Sequence, residues 1–139
     1  MDLCEASIDA FGSSYKLGKA EDYLNVIVSV YHKDYQLEPH VDVDFSDRIT
    51  DGKHVDFCFG ETVIGVVLRP DSKGQFYIIE SSAKNPQLDL KHAIRLDEKL
   101  GTAFLLTGAL RRKPYYHGVS PVESLRISVT FRTVQFFQT

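Results

Sequence analysis

Cysteine is scarce in this sequence: Cys4 and Cys58 are the only two, and they stand far apart. A disulfide framework or a cluster of thiolate metal ligands needs several cysteines at close spacing, so neither is expected. Both are read as reduced thiols, with Cys58 in "FCFG" a small buried hydrophobe. Long apolar runs are missing too, which excludes a bilayer-spanning helix and predicts no membrane partner. The first residues, "MDLCEASIDAFGSSYKLGKAEDY", show no basic segment followed by an apolar one, so an intracellular location, cytoplasmic or nuclear, is expected. Nor is there an excess of positive charge. With 16 Lys and Arg against 19 Asp and Glu the net charge is −3, whereas nucleic-acid binding favours a basic face or stripe. No internal repeat or low-complexity segment stands out. A chain of 139 residues, 43% hydrophobic, suits one domain over 1–139 with a self-sufficient core, and a monomer is expected.

What the chain does contain is a series of short β-like runs. Residues 1–22 hold Gly12, Ser13, Ser14 and Gly18 but little periodicity, and predict an irregular or partly helical lead-in. From Tyr23 onward "YLNVIVSVY" is β-branched, with Leu24, Val26, Val28 and Val30 on one face. "HVDVDF" alternates strictly and predicts a second strand. Asp51-Gly52 marks a hairpin or loop. "ETVIGVVLRP" and "GQFYIIE" flank Pro70-Asp71-Ser72-Lys73-Gly74, which predicts a second hairpin. Residues 88–96 are a further strand candidate, and "TAFLLTGAL" and "LRISVTFRTVQFF" add two more runs. Seven or eight short strands and no long amphipathic helix after residue 23 predict an all-β sandwich or barrel, the jelly-roll type included, with its core over 23–139.

Two stretches pair a His with an Asp two residues on: "EPHVDVDF" holds His40 and Asp42, and "KHVDF" holds His54 and Asp56. Residues at i and i+2 of a strand share a face, so each pair projects together. Two such groups and one distant His make a facial triad of two histidines and a carboxylate, the arrangement of non-haem Fe(II) oxygenases. His117, in "RRKPYYHGVSPV", stands between a β run and a turn, which places it at a strand end. On spacing alone each pair is equally well two polar residues on an exposed strand face. The first pair is followed by a further alternating acid, Asp44. A second signal is "LRISVTFRTV", where Arg126, Ser128, Thr130 and Arg132 share one strand face. Arginines turned inward are costly unless they meet anions, and a dicarboxylate would satisfy them bidentately. An exposed strand with its polar face in water is the alternative.

In combination the segments are more specific. "VSVYHKDYQLEPHVDVD", with Tyr31 nine residues before His40, "LDEKLGTAFLLTGALRRKPYYHGVSP" and "RISVTFR" together resemble the AlkB-like branch of the Fe(II)- and 2-oxoglutarate-dependent dioxygenases. The resemblance spans roughly residues 23–136, most of the chain. It implies a double-stranded β-helix (jelly-roll) core in which His40, Asp42 and His117 bind Fe(II). Arg126 would pair with the distal carboxylate of 2-oxoglutarate, assisted by Tyr31, and Arg132 would lie near the metal-chelating end. Asp44 corresponds to an acid that contacts the substrate base in some members. Ser29 and Ser128 replace two co-substrate asparagines of bacterial members, and a shorter hydroxyl still hydrogen-bonds but reaches less far.

With O2 as oxidant, the resemblance implies oxidative demethylation of an N-methylated nucleic acid or nucleotide. Arg111-Arg112-Lys113, beside His117, offers a phosphate contact or else a solvated loop. The acidic balance and the short lead-in before the first core strand, where nucleic-acid-directed members carry a recognition lid, point the other way. A small molecule or protein side chain is therefore the alternative substrate for hydroxylation. A catalytically silent binding module is the third possibility.

Overall fold

In the computed structural model, residues 2–12, 14–42, 49–50, 53–54 and 57–136 are described. Asp44, Asp56 and the Asp51-Gly52 turn lie outside the described residues. The lead-in forms helix α1, Leu3–Phe11, whose N-cap Asp2 accepts from Glu5 while Glu5 accepts from the Asp2 amide, a reciprocal capping box. A short 3-10 turn, Ala20–Asp22, follows. The Tyr23 hydroxyl then donates to the Leu17 carbonyl and ties the lead-in to the strands.

The rest is dominated by antiparallel β-structure. Strands β1 (Asn25–His32), β10 (Leu125–Phe136), β5 (Phe57–Arg69) and β8 (Ala103–Leu106) form one sheet in that order. Strands β2 (Leu37–His40), β9 (Tyr115–Val119), β6 (Phe76–Glu80) and β7 (Ile94–Arg95) form the second. The short pair β3 (Ile49–Thr50) and β4 (Lys53–His54) stands between β2 and β5 in the chain. Phe76 of the second sheet stacks on Phe104 of the first, ring centroids 4.3 Å apart, so the two sheets face each other.

Each sheet also buries part of its outer face. On the first, Cys4 and Ile8 of α1 pack with Ile64, Val66, Val129 and Phe131. On the second, Leu88 and Ala93 pack with Tyr77, Ile79 and Tyr116, whose hydroxyl donates to the Ala83 carbonyl. Residues 88–96 are therefore mostly a cover for the second sheet rather than a strand; only Ile94–Arg95 pair with β6. The aromatic hydroxyls and rings of that face need covering, and the polar mixture of the segment lets its backbone stay wet while Leu88 and Ala93 turn in.

The turn between β5 and β6 is organised by one buried carboxylate. Asp71 accepts from the backbone amides of Lys73, Gly74, Glu123 and Ser124 and from the Ser124 hydroxyl. Burial alone would raise its pKa, but those amides hold the carboxyl well below its usual range. A group lowered in the folded state adds stability that is complete above the unfolded value, about pH 4, and is lost as pH falls toward the folded one. Asp71→Ala is expected to cost about 2–4 kcal/mol by urea denaturation at pH 7 and to flatten the acid limb of stability against pH. An unchanged acid limb would refute this role.

Candidate metal centre

Strand β2 ends at His40, and the residue opposite it on β9 is His117. Their rings lie 4.4 Å apart between centroids. Asp42 follows just past the end of the strand, with its carboxylate between the two: Oδ1 is 3.3 Å from His40 Nε2 and 3.7 Å from His117 Nε2. One ligand atom from each residue lies within 4.8 Å of the others, and no second such group occurs among the described residues. Two ligands about 2.1 Å from a shared ion and at right angles sit about 3 Å apart, so these spacings fit one divalent metal.

The supporting contacts orient all three groups. His40 Nδ1 lies 2.9 Å from the Glu38 carbonyl, which can only accept, so the proton of the neutral ring is on Nδ1 and Nε2 holds the lone pair. The second carboxylate oxygen of Asp42 accepts from Arg132 Nε at 2.9 Å. Burial opposes charge on Asp42, yet hydrogen bonds with His117 and His40 and the Arg132 guanidinium outweigh it and hold the carboxyl well below its usual range. Burial is also the largest influence on His117 and leaves its pKa lowered, although Asp42 pulls the other way. At His40 burial is overcome by Asp42 and the Glu38 carbonyl, and the net direction is up. An ionised carboxylate and a neutral imidazole are the forms a divalent metal takes.

A cavity of about 300 Å³ opens between the sheets beside these residues. It is lined by Ser29, Tyr31, His40, Asp42, His117, Arg126, Ser128 and Arg132, every metal and co-substrate residue expected from the resemblance. Leu37, Phe76, Phe104 and Val119 supply apolar wall. The Arg132 guanidinium lies over the Phe59 ring, 5.2 Å from its centroid, and donates to Thr130 Oγ1. Ser29 and Ser128 are register partners on β1 and β10, and Ser128 Oγ accepts from Arg126 Nη1 at 2.9 Å. Tyr31 stands beside Arg126, whose guanidinium carbon is 5.7 Å from the ring centroid.

Three expectations need revision. His117 sits at the centre of β9 rather than at a strand end, because the turn closes before Tyr115 and the whole Tyr-His-Gly segment pairs with β6. Arg111 is not part of a basic patch: it is 1% exposed and donates to the Gly60 and Glu61 carbonyls, while Arg112 pairs with the Glu61 carboxylate. Arg126 already has an anion within the chain. Its Nε and Nη2 donate to the two oxygens of Glu98, at 2.8 and 2.6 Å, and both side chains are essentially inaccessible, at 1% and 0%. Glu98 escaped the sequence reading because nothing in "LDEKLG" sets it apart from Asp97.

The pairing of His40 with His117 depends on Gly118. A Cβ there would collide with the Leu37 carbonyl of β2 and the Tyr77 hydroxyl of β6. That hydroxyl crosses β9 to donate to the same Leu37 carbonyl at 3.0 Å, locking three strands together. Gly118→Ala is expected to push β2 off β9 and weaken divalent-metal affinity at least about tenfold by calorimetry, although the substituted side chain is no ligand. Unaltered affinity would show that the spacing of His40 and His117 is set elsewhere.

No protein-family model matches the chain, and no curated protein matches it. Among the described residues no helix is long and apolar enough to cross a membrane.

Proposed function

We propose that this chain is an Fe(II)- and 2-oxoglutarate-dependent dioxygenase domain of the AlkB-like type, acting by oxidative demethylation of an N-methylated nucleic acid or nucleotide. The observation that carries the proposal is the convergence of His40, Asp42 and His117 on one cavity that also receives Arg126, Ser128 and Arg132. The strand orders support a jelly-roll core. With the β3–β4 pair set aside and the other strands counted one to eight, the sheets run 1-8-3-6 and 2-7-4-5, so most chain connections pass from one sheet to the other.

Iron, 2-oxoglutarate and O2, when bound, supply the oxidation of a C–H bond to C–OH, with succinate and CO2 as by-products. His40 Nε2, Asp42 Oδ1 and His117 Nε2 are the atoms that would hold the metal. Arg132 keeps Asp42 ionised and its second oxygen occupied, which leaves Oδ1 to face the histidines. Arg126, steadied by Ser128 and paired with Glu98, lines the same cavity and keeps one N–H on each Nη that would meet the far end of the 2-oxo acid. Leu37, Phe76, Phe104 and Val119 keep water from the reacting centre. A hydroxylated N-methyl carbon leaves as formaldehyde, which makes the overall change a demethylation. By the resemblance, Asp44 would correspond to the acid that contacts the substrate base in some members.

A second substrate class, a small molecule or a protein side chain, is favoured by one observation. Arg111 is buried on backbone carbonyls and Arg112 is paired with Glu61, so the basic cluster near His117 is largely committed. Incubation of iron-loaded protein with 2-oxoglutarate and N-methylated oligonucleotides tests the proposal, with formaldehyde release above an unmethylated control as the expected result. Succinate formed only with other substrates would favour the second class. Metal binding with no succinate from any substrate would favour a silent binding module, and no metal binding would sink the whole assignment.

A further inference from the structure

Three ionic side chains line the cavity, and each is in an internal pair: Asp42 with Arg132, and Arg126 with Glu98 behind it. Their charges cancel before any ligand enters. The second pair is the unexpected one, because Arg126 stands where a free guanidinium would demand the far carboxylate of a dicarboxylic co-substrate.

Glu98 meets that demand from behind. It does not line the cavity, whereas Arg126 does. Glu98 Oε1 accepts from the Phe76 amide at 2.8 Å as well as from Arg126 Nη2, so its carboxylate is anchored to β6. A guanidinium has five N–H groups. Nε and one N–H of Nη2 go to Glu98 and one N–H of Nη1 goes to Ser128, which leaves two, one on each Nη. A ligand in the cavity can still be hydrogen-bonded by these, but it meets a guanidinium already neutralised. A second carboxylate would lie across Arg126 from Glu98, and like charges at such separation in a partly buried site repel. An uncharged group there leaves no ion unpaired, and the cavity's lining includes the apolar Ile27, Leu37 and Val119.

We infer that Glu98 is a specificity-determining residue, which lets the cavity accept 2-oxo acids with an uncharged far end and lowers its preference for a dicarboxylate. The inference rests on the proposed function, since it concerns the 2-oxo acid bound beside His40, Asp42 and His117.

The test is calorimetric titration of the Mn(II)-loaded full chain, without turnover, using 2-oxoglutarate and 2-oxopentanoate. The second acid is the same chain with a methyl group in place of the far carboxylate. Wild-type affinities for the two are expected to agree within about tenfold, and Glu98→Gln to raise the preference for 2-oxoglutarate at least about tenfold. A wild-type preference for 2-oxoglutarate well beyond tenfold would overturn the inference. So would a Glu98→Gln protein that binds both acids more weakly by the same factor, the result of a purely structural role. If the variant fails to fold, the wild-type comparison decides alone. Mn(II) binding with no binding of either acid would instead overturn the proposed function, and this inference with it.

Discussion

Asp42→Asn is expected to reduce divalent-metal affinity by at least about a hundredfold, because it removes the only charged ligand while keeping the side chain's shape. The carboxylate has two tasks at once. Oδ1 faces both imidazole Nε2 atoms, and Oδ2 accepts from Arg132. An amide can place its oxygen toward one side only, so either the metal side or the Arg132 side meets an NH2 group. Loss of the negative charge also leaves Arg132, 8% exposed, as an uncompensated cation beside an incoming dication. His117→Ala should fall by a similar factor, since His117 contributes the most buried imidazole of the group. His92→Ala is the matched control: that ring is on the surface, paired with Asp89, and its loss should leave affinity within about twofold. Calorimetric titration with Mn(II) reads all three, with circular dichroism to show that the fold persists. Equal affinities for wild type and Asp42→Asn would mean that the convergence of these side chains holds no metal.

Much of the site was legible because strand geometry makes local patterns informative. His40 with Asp42, and Arg126 with Ser128, Thr130 and Arg132, are grouped by period-two alternation, and of the eight expected site residues that line the cavity all but Asp42 stand on β1, β2, β9 and β10. What alternation cannot say is which face is inside. The apolar row of Leu24, just before β1, with Val26, Val28 and Val30 of the strand is 50–67% exposed, while the mixed row Ile27, Ser29 and Tyr31 lines the cavity. Hydrophobicity points to the first row as the inner one; the site needs the polar groups of the second. Of the strand predicted over "HVDVDF", His40 is the last residue of β2, and Asp42, just past it, reaches Arg132 of the opposite sheet. Glu98 and Asp71 were not legible at all. Each is an ordinary acid in a polar stretch, and each acquires its role from partners brought up by the fold, 28 positions away for Glu98 and 52 to 53 for the β10-side contacts of Asp71.

Breaking the buried pair at one end should be the most damaging change to stability. Arg126→Met is expected to cost about 3–5 kcal/mol, measured by urea denaturation at pH 7. The methionine fills much of the arginine's volume, so the loss is not chiefly one of packing. It arises because Glu98, with a wholly buried side chain, keeps only the Phe76 amide as a partner for its charge. The carboxyl then has to take up a proton or draw in water, and either one costs free energy that the guanidinium now spares it. Glu98→Met should be comparably harmful, since it strands the cation instead. The double variant Arg126→Met with Glu98→Met removes both ions, and desolvation no longer works against the fold. It is expected to be more stable than either single variant by about 2 kcal/mol or more, a coupling that a double-mutant cycle isolates. Strictly additive losses would contradict this account, because they would mean that each ion is solvated well enough to stand without the other.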